Sequence, residues 1–162
     1  DELFCNLVDA DGYYFTHFLQ DKAKTAYGGA ELKYGYKDWF DASLKGTFYS
    51  WKTDNENEEL YLMTKPKFEL NFYAEAKVFE GLKVYLGYEY VQRKEYVIEE
   101  GNSSRDFGLG NISNLSVGAS YTFLKDLSVF GRVNNLLNKQ YYYEYGYPAE
   151  KLNVLAGLSL VF

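Results

Sequence analysis

Polar and apolar residues alternate along most of this chain with a period of two. Across residues 66–78, one parity is apolar from Phe68 to Val78, and the other parity is mostly charged or polar. Successive side chains of a β-strand point to opposite faces, whereas a helical period of 3.6 residues would mix the two sets. The pattern therefore predicts a strand with one apolar and one polar face.

The same alternation recurs in six further segments, which are residues 30–36, 42–48, 82–90, 115–123, 127–133 and 152–162. One more strand is expected in the first twenty residues, either at 3–8 or at 13–20, with the turn signal DADG at 9–12 between the two placements. This gives about eight strands and no helix. We predict an all-β fold of antiparallel up-and-down strands, in which residues 1–162 form a single unit.

The predicted connections alternate between short and long. Short connections fall at 37–39, 79–81 and 124–126, and long ones at 20–27, 53–65, 92–111 and 135–150. Outer-membrane β-barrels have short periplasmic turns and longer extracellular loops. Counted back from Phe162, the short turns lie on the same side as the C-terminus, and an even strand count would put both ends of the chain on the periplasmic side.

Aromatic residues make up 20% of the chain, including 18 Tyr and 12 Phe. Many of them lie close to the predicted short turns. Aromatic residues concentrate at membrane interfaces, where their rings sit at the level of the lipid head groups. We therefore predict an aromatic girdle formed by Tyr34, Tyr36, Trp39, Phe40, Phe79, Tyr121 and Phe123, with Phe162 at the same end.

Composition excludes several classes of function. A net charge of −6 disfavours a nucleic-acid-binding protein. The single cysteine, Cys5, excludes a disulfide framework, and the single histidine, His17, lacks obvious partners for a metal site or a catalytic triad. The acidic segment 54–59 has the composition of a solvated loop. We find no catalytic motif and expect no enzyme activity, no cofactor and no metal.

Periodicity alone does not say which face of the sheet is inside. In a soluble β-barrel that binds an apolar ligand, the apolar face would line the core. In an outer-membrane barrel the same face would meet lipid, and eight strands are enough for a small closed barrel with a structural or adhesive role. The alternating connections and the aromatic residues near the short turns favour a membrane barrel.

The last thirty residues carry a more specific pattern. They contain Asn135-Leu136, a tyrosine-rich stretch at 141–145, Gly146-Tyr147-Pro148, and a final strand with Gly157, Leu160 and Phe162. This pattern resembles the C-terminal part of the β-barrel of TonB-dependent outer-membrane receptors. Phe4-x-Asn6 and Gly29-x-Glu31-Leu32 are also similar to that family. One departure is Glu150-Lys151-Leu152, which stands where the family usually has Pro-Gly-Arg.

The resemblance implies a function and a set of partners. Such receptors import a scarce ligand, such as an iron chelate, cobalamin or a glycan, across the outer membrane of Gram-negative bacteria. Their barrels have about 22 strands and enclose a plug. We therefore expect this chain to be the last part of a receptor barrel, surrounded by outer-membrane lipid. The plug and the remaining strands would lie outside it, and TonB would act through the plug.

The resemblance also implies an assembly signal at the end of the chain. A final strand that closes on an aromatic residue is similar to the segment by which the barrel assembly machinery selects outer-membrane proteins. We expect Gly157, Leu160 and Phe162 to form this signal. The residues that would bind the transported ligand are not predicted by the sequence.

Overall fold

The structure is a computed structural model, and it describes residues 2–7, 15–20, 23–53, 62–100, 103–107, 109–144 and 147–161. Its described secondary structure consists of β-strands. They are β1 Glu2–Leu7, β2 Phe15–Gln20, β3 Ala23–Tyr36, β4 Phe40–Thr53, β5 Pro66–Phe79, β6 Leu82–Arg93, β7 Tyr96–Glu100, β8 Ser103–Phe107, β9 Ile112–Leu124, β10 Leu127–Asn134, β11 Tyr142–Glu144, β12 Tyr147–Pro148 and β13 Asn153–Leu160.

Seven of these strands form one antiparallel sheet. Their order, β3-β4-β5-β6-β9-β10-β13, follows the chain, and the pairs β1–β2, β7–β8 and β11–β12 form separate two-stranded hairpins. The prediction of an all-β, up-and-down fold is confirmed. Both placements considered for the first strand are strands, paired with each other in the β1–β2 hairpin. In the described ranges, no helix has the length and hydropathy of a membrane span.

The strand register brings the apolar residues of all seven strands to the same face. One row of directly paired residues crosses five strands and consists of Leu32, Leu44, Phe72, Tyr88 and Leu115. Residues that are directly opposite in an antiparallel sheet share a face. A shift of one residue in any strand would move its apolar set to the other face. The register is therefore fixed by the alternation that the sequence shows.

The same face continues to the last strand and is exposed. Tyr121, Val129 and Leu158 form a second row across β9, β10 and β13. Large side chains on the two edge strands keep most of their surface accessible, for example 70% for Leu32 and 72% for Leu158, and those on the central strands are partly exposed. We call this surface the apolar face and the opposite surface the polar face. An exposed apolar surface of this extent indicates contact with lipid or with another protein.

The short turns all lie at one end of the sheet. Each turn is tied to a neighbouring segment by a backbone hydrogen bond: Lys77 N–H donates to the Trp39 carbonyl at 2.7 Å, Thr122 N–H to that of Gly81 at 2.9 Å, and Val161 N–H to that of Asp126 at 2.9 Å. Gly81 has φ of +83°, a conformation that other residues adopt at a cost. We call this end the short-turn end and the opposite end the long-loop end.

One sequence-based expectation is corrected by the structure. The connection expected at 20–27 is largely strand, because β3 pairs with β4 from Tyr36 back to Ala23. The main sheet contains the seven strands predicted from alternation, and it begins at the long-loop end and ends at the short-turn end. The backbone pairing of β3 with β4 extends towards the N-terminus beyond residue 30, where the alternation begins. A prediction from alternation alone therefore starts this strand too late.

A β-bulge explains the position of one predicted girdle residue. Between Lys77 and Phe79 the register of β5 shifts, so that Phe79 pairs with Leu82. Leu82 lies on the apolar face, opposite Tyr121. The bulge therefore turns Phe79 to the apolar face, although its parity in β5 would place it on the polar one.

Candidate functional site

The polar face carries a row of five directly paired polar residues, which we call the polar row. It consists of Glu31, Lys45, Asn71, Glu89 and Asn114, one each from β3, β4, β5, β6 and β9. Two carboxylates, one ammonium group and two amides thus lie side by side. The row offers hydrogen-bond donors and acceptors of both charge signs to anything that occupies this face.

Ion pairs on the polar face are exposed. Lys33 lies 3.3 Å from Glu31, and Lys83 lies 3.4 Å from Glu75. All four side chains keep a substantial part of their surface in solvent, so each pair contributes little stability. These groups remain available to interact with a ligand or another part of the protein.

Three aromatic residues lie on the polar face near the long-loop end, and we call them the aromatic shelf. Tyr27 of β3 is directly opposite Tyr49 of β4, and their ring centroids are 6.1 Å apart. Trp51 stacks on Tyr49, with centroids 6.1 Å apart and an interplanar angle of 19°. The Tyr27 side chain is 74% exposed. Tyr27 therefore presents accessible ring surface, whereas Tyr49 and Trp51 are half-buried.

The aromatic shelf is held in place by hydrogen bonds to β5. The Tyr49 hydroxyl donates to Glu69 Oε2 at 2.8 Å, and Trp51 Nε1 donates to the Pro66 carbonyl at 2.8 Å. The Lys65 ammonium group lies 5.6 Å from the centroid of the Trp51 ring, within the range of a cation–π interaction. These contacts fix the orientation of the Tyr49 and Trp51 rings.

The described part of the last long connection, residues 135–144 and 147–150, folds over the polar face, and we call it the tyrosine loop. Tyr141 is 5% exposed and packs with Val91 and Ile112, which are paired on the polar face at the long-loop end. Ala149 packs against the same cluster, and its N–H donates to the Tyr141 carbonyl at 2.8 Å. The loop thus completes a small buried hydrophobic cluster with β6 and β9.

Asn135 anchors the start of the tyrosine loop. Its side chain is 1% exposed and donates to the Lys139 and Glu150 carbonyls at 2.7 and 3.1 Å, and its Oδ1 accepts from Lys139 N–H at 3.1 Å. The Asn135 N–H donates to Asn114 Oδ1 of the polar row at 3.1 Å. With φ of 49°, Asn135 occupies the left-handed region, which Asn tolerates better than most residues.

Arg93 and Tyr143 tie the tyrosine loop to β6. Arg93 Nη1 donates to the Tyr142 carbonyl at 2.5 Å, and the Tyr143 hydroxyl donates to Glu89 Oε2 at 3.2 Å. Partial burial raises the pKa of the Tyr143 hydroxyl, and the negative charge of Glu89 raises it further. Burial also raises the pKa of the Tyr141 hydroxyl. Both tyrosines therefore stay neutral at physiological pH.

The aromatic shelf and the tyrosine loop flank a trough on the polar face. The shelf lies on β3 and β4, the loop is tied to β6 through Glu89, and Glu69 and Asn71 of β5 lie between them. Two strand spacings separate β4 from β6, which makes the trough about 10 Å wide. A floor of amide and carboxylate groups between aromatic walls suits a ligand that offers both ring surface and polar atoms.

The predicted girdle residues lie at the short-turn end. Trp39 contacts Tyr36 and Phe40, with centroids 5.8 and 5.7 Å apart, and Tyr121 contacts Phe79 and Phe123 at 6.0 and 6.4 Å. Tyr34 joins the first group through Phe40 at 6.3 Å. The structure therefore brings the seven residues into two contact groups at one end of the sheet. Their interfacial role stays a prediction.

Two of the three predicted assembly-signal residues lie in the described part of β13. Gly157 is covered by the Phe130 ring, and a Cβ atom added at Gly157 would lie 2.6 Å from Phe130 Cζ. Leu160 pairs with Leu127 on the apolar face and is 61% exposed. Phe162 lies outside the described residues. The assembly role of all three stays a prediction.

Cys5 and His17 are directly paired in the β1–β2 register. Their side chains lie outside what the structure describes. In the described part of the chain, no group of three or more His, Cys, Asp or Glu residues is arranged to hold a metal ion. The expectation of no metal and no cofactor stays a prediction.

Sequence reasoning did not find the aromatic shelf or the tyrosine loop. The signal for the shelf is present in the sequence, since Tyr27, Tyr49 and Trp51 are large aromatic residues on the polar parity of their strands. The contacts of the tyrosine loop join residues about 50 positions apart, such as Arg93 and Tyr142, and no local pattern predicts them.

Comparison with known proteins identifies the fold. No protein-family model matches the chain, and no curated protein matches it. Among solved structures, it is similar to FpvA of Pseudomonas aeruginosa bound to heterologous pyoverdines, with 16% identity and a TM-score of 0.69 over 98% of this chain and 23% of that one. It is also similar to the ferripyoverdine receptor of the P. aeruginosa outer membrane bound to ferripyoverdine, with 17% identity, a TM-score of 0.67, and coverage of 94% and 21%.

The chain spans less than a quarter of the length of these structures. At such low identity the similarity establishes the fold alone, which is that of part of the β-barrel in these structures.

Proposed function

We propose that this chain is the C-terminal part of the barrel of a TonB-dependent receptor, which imports an iron chelate across the outer membrane of a Gram-negative bacterium. The observation that carries the proposal is the register, which aligns the apolar residues of seven strands on one exposed face and the polar residues on the other. The short turns at one end and the similarity to a ferripyoverdine receptor support it.

The open edges of the sheet favour a larger barrel over a stand-alone one with eight strands. The main sheet ends at β3 on one side and β13 on the other, and these two strands are not paired with each other. Unpaired edges promote aggregation unless another strand or segment covers them. We infer that further strands of a receptor pair with both edges and that a plug occupies the space in front of the polar face.

The location of the hydrophobic core disfavours a soluble barrel that binds an apolar ligand. In such a barrel the apolar face would line the interior. Here the buried cluster around Val91, Ile112 and Tyr141 lies on the polar face, while Leu32, Phe48 and Leu158 on the apolar face are exposed. Contact of the apolar face with outer-membrane lipid accounts for this exposure.

The trough provides a binding site for the chelate in this proposal. The exposed Tyr27 ring of the aromatic shelf offers stacking surface, and the polar row offers charged and amide groups. The tyrosine loop lies at the long-loop end, which faces the outside in this orientation. The chain binds and releases its ligand without a chemical step, and transport is driven by TonB acting through the plug. Insertion into the membrane depends on the barrel assembly machinery.

An uptake assay tests the proposed function. A strain that lacks the gene is supplied with radioactive iron as ferripyoverdine, ferrichrome or a ferric catecholate under iron limitation. We expect loss of uptake for one of these chelates, restoration by the intact gene, and loss again when TonB is deleted. Unchanged uptake of all three in the deletion strain would overturn the assignment to iron-chelate transport.

Variants of the aromatic shelf test the binding site. We expect Y49A/W51A to weaken binding of the imported chelate about tenfold, because the two rings that support Tyr27 and form this wall of the trough are removed. Trp39→Ala, which removes an aromatic residue at the opposite end of the sheet, serves as the control and should leave affinity unchanged. Binding is measured by fluorescence quenching on whole cells. Equal affinity of wild type and Y49A/W51A would exclude the shelf from the site.

A further inference from the structure

Two lysines form a directly opposed pair at the long-loop end of the apolar face. In the β3–β4 register, Lys24 is paired with Lys52, and both have the parity of Leu32 and Leu44. Both side chains are exposed. Like charges directly opposite each other in a sheet destabilise it. No other charged residue of β3 or β4 lies on this face, so the pair stands out, in a chain whose net charge is −6.

The position of the pair matches the level of lipid head groups. On β4 the apolar parity runs from Phe40 to Phe48, which is about 27 Å along the strand and about 20 Å across the membrane for a strand tilted by roughly 40°. Lys52 lies four residues beyond Phe48, about 10 Å higher by the same geometry. The hydrocarbon core ends within this distance, and the head groups begin there.

Neither lysine has a partner in the described structure. Across the described ranges, ion pairs form at Lys33 and Lys83 but not at Lys24 or Lys52. Long lysine side chains extend along apolar surface and place their ammonium groups at the membrane interface. Two directly opposed lysines at this level suit a phosphate group, whose negative charge would offset the repulsion between their ammonium groups.

We infer that Lys24 and Lys52 together bind the phosphate of an anionic lipid head group in the outer leaflet. This inference rests on the proposed function, because it requires the apolar face to lie in a membrane. The two lysines hold the phosphate at the long-loop end of the apolar face. The apolar residues of β3 and β4 contact the acyl chains of the same leaflet. The phosphate contact supplies specificity for charged lipid, which the apolar residues cannot provide.

The test uses the full-length receptor in detergent, titrated with phosphatidylglycerol or phosphatidylcholine and followed by native mass spectrometry. Each lysine near an anionic surface contributes roughly fivefold to affinity, so K24Q/K52Q is expected to bind phosphatidylglycerol about 30-fold more weakly. Binding of phosphatidylcholine should not change. K33Q/K45Q, which removes the same charge from the same strands on the polar face, is the control and should retain wild-type lipid binding.

Two outcomes overturn the inference. Equal affinity of wild type and K24Q/K52Q for phosphatidylglycerol would do so, and so would an equal loss in K33Q/K45Q, which would show an effect of net charge only. Insertion of wild-type protein into phosphatidylcholine vesicles separates the two proposals. If the protein inserts but the lysines have no effect, the lipid site alone is wrong, whereas failure to insert contradicts the membrane barrel itself.

Discussion

Asn135 shows how a single residue can determine the path of a long loop. Its left-handed backbone conformation turns the chain after β10, and its buried side chain bonds to the backbone of both ends of the tyrosine loop. Few side chains can do both, because β-branched and apolar residues are strained at this φ and offer no amide group. The resemblance to receptor C-termini includes this asparagine, and the structure supplies a physical reason for it.

Replacing Asn135 should open the tyrosine loop. We expect N135G to lower the free energy of loop opening by about 2 kcal/mol, because buried backbone groups lose their partners. N135A should lower it by about 3 kcal/mol, since a left-handed conformation adds at least 1 kcal/mol for alanine. Hydrogen exchange at the Lys139 and Ala149 amides measures the change.

Asn138 provides a matched control for this prediction. It also has positive φ, at 51°, but it is exposed, and its side chain accepts one bond, from Leu152 N–H at 3.2 Å. N138G should therefore change loop opening by less than about 1 kcal/mol. Equal effects at both positions would show that Asn135 is not the anchor.

At the scale of elements, the tyrosine loop is the part of the site that the sequence predicted least well. Alternation placed residues 135–150 in a connection correctly, but it carried no sign that the connection would fold back over β6 and β9. The anchoring bonds join residues far apart in sequence, such as Glu89 and Tyr143. Local periodicity cannot predict such contacts, because they form only when the whole sheet is in place.

The buried tyrosine makes closure of this loop sensitive to high pH. Burial raises the pKa of the Tyr141 hydroxyl above its ordinary value of 10.0. The stabilisation from burying the neutral ring is therefore complete below pH 10 and is lost as the pH rises towards the folded-state pKa. A fluorophore on Lys139→Cys, in a Cys5→Ser background, should lose anisotropy above pH 10 as the loop opens.

The variant Tyr141→Phe isolates this effect. It keeps the ring between Val91 and Ile112 and removes the ionisable hydroxyl, so the loss of anisotropy should shift to higher pH. Tyr121→Phe, which removes a hydroxyl at the short-turn end, is the control and should behave as wild type. Identical pH profiles for Tyr141→Phe and wild type would show that ionisation of Tyr141 does not open the loop.

At the scale of the whole molecule, the fold could be predicted because its determinant is local. Alternation in each strand assigns every residue to a face, and antiparallel pairing then aligns Leu32, Leu44 and Phe72 without further information. Two features could not be predicted from alternation. The start of β3 carries few large apolar residues to mark it, and the bulge at Phe79 reverses parity at a single position.

The orientation of the sheet in the membrane is the central claim, and lipid contact along β5 tests it most directly. A bimane fluorophore is attached to single cysteines at 70–76 in the full-length, Cys5→Ser protein, which is reconstituted with lipids that carry brominated chains. We predict strong quenching at Leu70, Phe72, Ala74 and Ala76 and little at Asn71, Tyr73 and Glu75. Quenching without this period of two, or quenching confined to the odd-numbered positions, would contradict a lipid-facing apolar surface.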